Sequence, residues 1–163
     1  MGFITSVIQP GETILFDGKI HWIVYFWPLF FLILGVSIML FGSDQAHYVL
    51  DINTQDQPPF FLILGGLIAL LAVINLISAL FYRFTTEIAV TNRRVIFKKG
   101  FVWRKTMEMN VNKVESVSID QTVLGRILDY GTVSVTGTGS SIEPFTSVDS
   151  PIRLRNTIKT FDG

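Results

Sequence analysis

Hydrophobicity along the chain is concentrated in two uncharged blocks, followed by a series of short alternating runs. The first block covers residues 22–41, and the second covers residues 60–82 and ends directly against Arg83. At ~1.5 Å of rise per residue, each is long enough to cross a ~30 Å hydrocarbon core as a helix. The pattern therefore predicts a membrane hairpin of two helices within residues 21–82. Trp22, Tyr25 and Trp27 cluster at its start, where amphipathic rings favour the membrane–water interface. A cleaved signal peptide fits poorly: the run is too long, Lys19 is the only positive charge before it, and no clear small-x-small site follows.

Residues 42–59 read as a polar loop carrying Asp44, Asp51 and Asp56 but no Lys or Arg. Pro58-Pro59 holds off helix until the second block begins. By the positive-inside rule this loop faces outward, and Arg83 and both termini face the cytoplasm. Residues 1–20 form a juxtamembrane segment with a turn signal at Pro10-Gly11 and a short apolar run, Ile14-Leu15-Phe16. That segment is expected as a strand or an interfacial piece, packed on the membrane or on the later domain. Its first six residues formally fit a myristoylation pattern, which is a weak signal in a chain with its own spans.

Two features inside the blocks suggest packing. Pro28 has no N–H for the carbonyl of Val24, and Asn75 is the only amide side chain in either block. The two should lie at similar depth, so the Asn75 amide is expected to serve that carbonyl or the Tyr25 hydroxyl; the alternative is a bond within its own helix. Gly65, Gly66, Ala69 and Ala72 place small side chains on neighbouring parts of one helix surface, suited to the first span or to a second subunit.

From residue 84 the period changes to that of strands. Residues 86–90 and 94–98 are strand-like around a turn at Thr91-Asn92-Arg93, with a second turn at Lys99-Gly100. Alternation continues over 102–109, and further strands are expected at 114–119, 131–137 and near 144–146. Residues 125–129 read as a short irregular or helical link. Ser150-Pro151 predicts a helix start, with Leu154, Ile158 and Phe161 on one face. The domain is thus placed at 83–163.

Composition changes this picture in one respect. Hydrophobic residues make up 49% of the 163, and the mean hydropathy of +0.48 fits a membrane protein better than one soluble domain. Cysteine is absent, so disulfides and thiolate metal sites are unavailable. The net charge is zero, but twelve of the thirteen Lys and Arg lie at or after Arg83, against eight of the thirteen acids. The sharpest cluster is the basic hairpin of Arg93, Arg94, Lys98, Lys99, Arg104 and Lys105, with no acid between residues 88 and 107.

The stretch Thr86-Glu87-Ile88-Ala89-Val90-Thr91-Asn92-Arg93-Arg94-Val95-Ile96 resembles the opening strand and turn of bacterial membrane proteins with a pleckstrin-homology-like (PH-like) domain. Leu124-Gly125-Arg126-Ile127-Leu128-Asp129-Tyr130-Gly131-Thr132-Val133 and Gly137-Thr138-Gly139 resemble that family's second signature, and the Pro10-Gly11-Glu12 leader and hairpin also suit it. The resemblance implies a two-span hairpin plus a small α+β domain, a bent antiparallel sheet or partly open barrel closed by a C-terminal helix. It also implies the bacterial cytoplasmic membrane, and it brings no catalytic residues. Soluble PH domains hold phosphorylated headgroups with basic residues around an early hairpin. By resemblance, the six basic residues are candidates for anionic lipid contact, with Gly100-Phe101-Val102-Trp103 as an apolar wedge. The alternative is that they are solvated strand charges, with Trp103 in the core.

Enzymatic chemistry finds little support. Gly137-Thr138-Gly139-Ser140-Ser141 lacks a third glycine at Ile142, and no Gly-Lys-Ser/Thr occurs. His21 and His47 fall on opposite sides of the first span, and nothing pairs Asp120, Asp129, Glu143 and Asp149 as a carboxylate site. No metal, cofactor or nucleic acid is expected. The expected function is a membrane-anchored interaction or scaffolding module. Its partners would be the bilayer, anionic headgroups, a second copy or another protein. An accessory subunit of a transport or secretion complex is the alternative, and a lipid-modifying enzyme a weaker third.

Overall fold

The computed structural model describes residues 4, 7–50, 60–100 and 104–160. The chain begins with strand β1 (Ile14–Gly18), then helices α1 (Phe26–Leu50) and α2 (Phe60–Thr85), then strands β2 (Glu87–Thr91), β3 (Arg94–Lys99) and β4 (Lys105–Asn110). It continues with β5 (Val114–Asp120), the short helix α3 (Val123–Ile127), β6 (Tyr130–Gly137), β7 (Ser140–Asp149) and the helix α4 (Pro151–Lys159). It divides into two compact units, one formed by Met1–Ile23 with Phe81–Gly163, the other by Val24–Leu80.

The first unit holds two antiparallel sheets, ordered β1-β2-β3-β4 and β5-β6-β7. Strand alternation explains their faces: residues two apart point the same way. Ile88 pairs with Phe97 and Val95 with Met109, so their side chains share the inner face, all buried. The Phe97 ring stacks on Phe145 of the second sheet, with centroids 4.8 Å apart. Leu154 and Ile158 of α4 are fully buried and close one end of this core; Phe161, the expected third member of that face, lies outside the described residues. Pro151 opens α4 as predicted, but Ser150 does not cap it. The Ser150 backbone is left-handed (φ 48°), and its hydroxyl donates to Asp129 Oδ2 at 2.9 Å.

The placement of the domain at 83–163 leaves out a strand. β1 pairs with β2 through Asp17↔Ala89 and Gly18↔Ile88. Beyond it the chain crosses to the second sheet, where Ile20 bridges Val148, His21 N–H donates to the Ser147 carbonyl at 2.7 Å, and Asp149 N–H donates to Lys19. Residues 1–20 are therefore part of the domain, and the two long helices are inserted between its first two strands. A run as short as Ile14-Leu15-Phe16 cannot show this by itself, because its partner lies more than 70 residues away.

The second unit is the helix pair. α1 and α2 cross at small residues: a Cβ on Gly35 would lie 2.7 Å from Ala69 N, and one on Gly65 would lie 2.6 Å from the Gly35 carbonyl. Only glycine allows this approach. Gly65 and Ala69 meet Gly35 at the crossing, and Ala72 is buried. Gly66 does not: a Cβ there meets nothing within 4 Å.

Three further expectations change here. Residues 42–50 are helix rather than loop, because α1 runs to Leu50; nothing in Gly42-Ser43-Asp44 blocks backbone hydrogen bonding, and the first prolines come at 58 and 59. Pro28 sits in the first turn of α1, after a 3-10 turn at Trp22–Tyr25, where a missing N–H costs little. Asn75 Nδ2 donates to the Leu71 carbonyl of its own helix at 2.8 Å, so its amide does not serve the first helix. Residues 51–59 lie outside the description.

Candidate functional site

Three places on the first unit carry the candidate chemistry: the outer face of the first sheet, the points where the chain leaves for the helices, and α3.

On the outer face, β3 presents Arg94, Ile96 and Lys98 alternately, and Ile96 is fully buried there. The cover is the N-terminal leader. Arg94 makes a two-pronged contact with Glu12, Nε to Oε1 and Nη2 to Oε2, both 2.9 Å. Glu12 also accepts from Thr91 Oγ1 at 2.7 Å and from Gln9 N–H at 2.9 Å, while Arg94 donates to the Val7 carbonyl and pairs with Glu108. Glu12 has a side chain 0% exposed, and that of Arg94 is 13% exposed. The Arg94 hydrogen bond, opposed by burial and assisted by the Gln9 and Thr91 donors, lowers the Glu12 pKa from 4.5 to about 2. Lys98 pairs with Glu87 at 3.1 Å, and Glu87 also accepts from Ile4 N–H.

The six basic residues consequently do not form one patch. Arg94 and Lys98 are neutralised by carboxylates from neighbouring strands and the leader, which corrects the expectation that their charge is uncancelled. Strand geometry separates the rest. Arg93 lies at the turn before β3, whereas Lys99 pairs with Lys105 at the far end of the β3–β4 ladder. At ~3.3 Å per residue these ends are roughly 17–20 Å apart. Arg93, Lys99, Arg104 and Lys105 are exposed. Lys99 Nζ stands 5.7 Å over the Tyr82 ring, a cation–π contact. Residues 101–103, the proposed wedge with Trp103, lie outside the described residues.

The chain leaves this unit after Ile23 and returns at Phe81. Both passages are tied to β7: His21 N–H donates to the Ser147 carbonyl, and the Tyr82 hydroxyl donates to the Thr146 carbonyl at 3.2 Å. The His21 ring is stacked between neighbours, with Trp22 and Tyr130 centroids each 5.3 Å away. An open pocket of about 600 Å³ nearby is lined by Ile4, Asp17, Lys19, Arg83, Phe84 and Thr86 among others. In the helix pair, a groove of about 350 Å³ lies between Trp27, Pro28 and Phe31 of α1 and Ile68, Leu71, Ala72 and Asn75 of α2. Pro28 and Asn75 therefore do share a depth, without sharing a hydrogen bond.

The α3 segment is small and braced by local hydrogen bonds. Thr122 caps it by accepting from Gly125 N–H at 3.1 Å, and Gln121 Nε2 donates to the carbonyls of Gly125 and Tyr130. Gly125 is obligatory by space, since a Cβ would fall 2.7 Å from the Tyr130 carbonyl. Asp129, with φ 56°, turns the chain into β6. Of the four acids considered as a site, Asp129 and Asp149 share the Ser150 hydroxyl, which lies 2.9 Å from Asp129 Oδ2 and 3.4 Å from Asp149 Oδ1. Among the described residues no group of three His, Cys, Asp or Glu is arranged to hold a metal.

Two sheets of four and three antiparallel strands with a closing C-terminal helix define a PH-like fold, here without a closed barrel. The Bacterial PH domain family model matches residues 22–161, and the chain belongs to that family. No curated protein and no solved structure matches it. Membership makes the chain a PH-like module of the interaction type. Sequence reasoning missed Glu12 as the partner of Arg94; the Pro10-Gly11-Glu12 leader was visible as a motif, but not the ion pair behind it.

Proposed function

We propose that this protein is a membrane-anchored PH-like interaction module, with α1 and α2 spanning the bilayer and the two-sheet unit held at its cytoplasmic surface. The observation that carries this is the exposure of the helix pair. Both helices are long and apolar enough to span, yet only 6% and 11% of their most apolar windows are buried. A core helix of a soluble protein would be mostly covered, so this exposure supports a lipid solvent around the pair. Insertion of the hairpin between β1 and β2 adds that the unit is tethered at two adjacent points. The Arg-free, Lys-free outer segment and the basic surplus after Arg83 support the cytoplasmic placement.

The reading of lipid contact narrows with it. Lys99, Arg104 and Lys105 stand at the strand end where Lys99 covers Tyr82, the last residue of the second uncharged block. These three, rather than all six, are assigned to anionic headgroups. Arg94 and Lys98 serve the fold.

Topology mapping tests the proposal. The chain has no native cysteine, so single cysteines at Asp51 and Glu115 can be probed with an impermeant maleimide in intact cells. Asp51→Cys should react from outside, and Glu115→Cys only after permeabilisation. Reaction of Glu115→Cys in intact cells, or release of the protein by alkaline carbonate, would overturn the reading.

A further inference from the structure

The signature containing α3 carries a cluster of exposed apolar side chains on the first unit. Val123, Leu124 and Ile127 are 76%, 63% and 73% exposed, and Leu128 is partly exposed beside them. At 100° per residue these four fall on one face of the short helix. A soluble surface rarely gathers four large aliphatic side chains this way without a use for them. None of the four belongs to the buried core.

Two further observations indicate what covers them. Much of the backbone beneath them is bonded locally: Thr122 and Gln121 hold the Gly125 N–H and the Gly125 and Tyr130 carbonyls, and Leu128 N–H bonds the Leu124 carbonyl at 2.9 Å. The end groups that a helix this short leaves unbonded can be met by water and headgroups at the membrane boundary, so the segment can lie at that depth. The segment also sits beside the route into the first helix. Gly125 packs on Tyr130, Tyr130 stacks on His21, and His21 is followed by Trp22, the first residue of the uncharged block. The second passage, at Tyr82, is bonded to Thr146, next to the Ser147 that holds His21.

We infer that α3 is a lipid-inserting knob, whose Val123, Leu124, Ile127 and Leu128 side chains enter the headgroup–acyl boundary of the bilayer. This rests on the reading of α1 and α2 as membrane spans. The knob gives the unit a third attachment besides its two chain passages. Exposed Arg126, on the edge of the same face, lies within reach of lipid phosphates.

The test uses the full chain in vesicles of phosphatidylethanolamine and phosphatidylglycerol carrying a nitroxide on the upper acyl chain. Environment-sensitive labels go on single cysteines at Val123, Ile127, Leu70 in the middle of α2, and Glu115 at the far end of β5. Labels at positions 123 and 127 should be quenched by the nitroxide several-fold more than the label at 115. Adding Val123→Asp and Ile127→Asp should abolish quenching of a label at Leu124 without lowering the melting temperature, because neither side chain supports the core. If position 70 is quenched while 123 and 127 behave like 115, the knob is wrong and the spans stand. If position 70 is also unquenched, both fall together. Labels at 123 and 127 shielded from aqueous iodide but not quenched by the nitroxide would mean a protein partner or second copy covers the face, which also overturns the proposal.

Discussion

The basic β3–β4 hairpin and the α3 corner carry opposite kinds of signal. In the hairpin, six cations in thirteen residues make a loud pattern, yet two are consumed by Glu12, Glu108 and Glu87, and one of the remaining four stands at the wrong end of the strand. At α3, four aliphatic residues in a six-residue span look like ordinary core, yet folding leaves them outside. Charge read along a sequence omits partners that arrive from distant segments. Apolarity read along a sequence omits the question of whether anything covers it. The contrast implies that the first sheet's outer face is mainly a folding device and the α3 corner mainly a contact surface.

The most severe way to break that contrast is to remove the leader. Deleting residues 1–13 takes away Glu12 and Ile4 and exposes the outer face of β2 and β3. The expected cost exceeds about 5 kcal/mol, comparable with the whole stability of a small domain. The cooperative thermal transition of the β unit, followed by near-ultraviolet circular dichroism, should disappear. A transition preserved within a few degrees would show that the leader does not hold this face.

Glu12→Ala asks the same question of one side chain. It leaves the Arg94 guanidinium partly buried with only Glu108 as a carboxylate partner, which should cost about 3 kcal/mol. In a chain of this size that is a fall of roughly 6–12 °C in melting temperature. Replacing both partners by methionine should recover most of the loss, since an apolar pair leaves no stranded charge. The same carboxylate sets an acid dependence. Its folded pKa, about 2, lies below its ordinary 4.5, so its stabilisation is complete above about pH 4.5 and is lost as pH falls toward 2. The difference in melting temperature between the natural chain and Glu12→Ala should therefore shrink across that window. A constant difference would assign the contact no ionic component.

How much of this was legible in the sequence follows from the range of each interaction. The two long helices, the order of the later strands and the C-terminal helix depend on local period and punctuation, and β2 to β6 read almost strand for strand, whereas β7, expected only near 144–146, runs over Ser140–Asp149. β1 did not read this way, because five residues specify a strand only when their partner is known, and residues 19–86 intervene. The small-residue crossing was half legible: Gly65 and Ala69 face it, Gly66 does not, and Gly35 went unnoticed because a lone glycine in an apolar block has no marked partner. Of the two readings of Asn75, the bond within its own helix formed, because an amide in a helix has its own carbonyl four residues back within reach.

At the α3 corner the corresponding break is Gly125→Val. Its Cβ would fall 2.7 Å from the Tyr130 carbonyl and 3.3 Å from Thr122 Oγ1, so the short helix must lift from β6. The expected cost is about 1–3 kcal/mol. Unlike Glu12→Ala, it should also change lipid quenching at position 127, because the apolar face moves with the helix. A loss of stability with unaltered quenching would separate the helix's structural role from its contact.

The smallest effect is expected where the sequence signal was strongest. Lys99, Arg104 and Lys105 are exposed, and a cation near a charged membrane contributes on the order of 1 kcal/mol at low salt. Replacing all three by Ser should lower the melting temperature by at most a few degrees, because contacts made by exposed side chains contribute about 0–1 kcal/mol each. Spin-labelled phosphatidylglycerol, compared with spin-labelled phosphatidylcholine, should be enriched around the natural chain in vesicles and lose most of that enrichment in the triple variant. Arg93→Ser should leave the enrichment intact, because Arg93 lies at the other end of β3. Raising the ionic strength should mimic the triple variant, since exposed charges separated by about 10 Å or more are largely screened at 0.1 M salt. Equal losses from Arg93→Ser and from the triple variant would restore the single basic patch and remove the division between folding charges and contact charges. Unequal losses locate the lipid-facing end of the sheet at the same side as Tyr82, where Thr146 and Ser147 also hold the two chain passages.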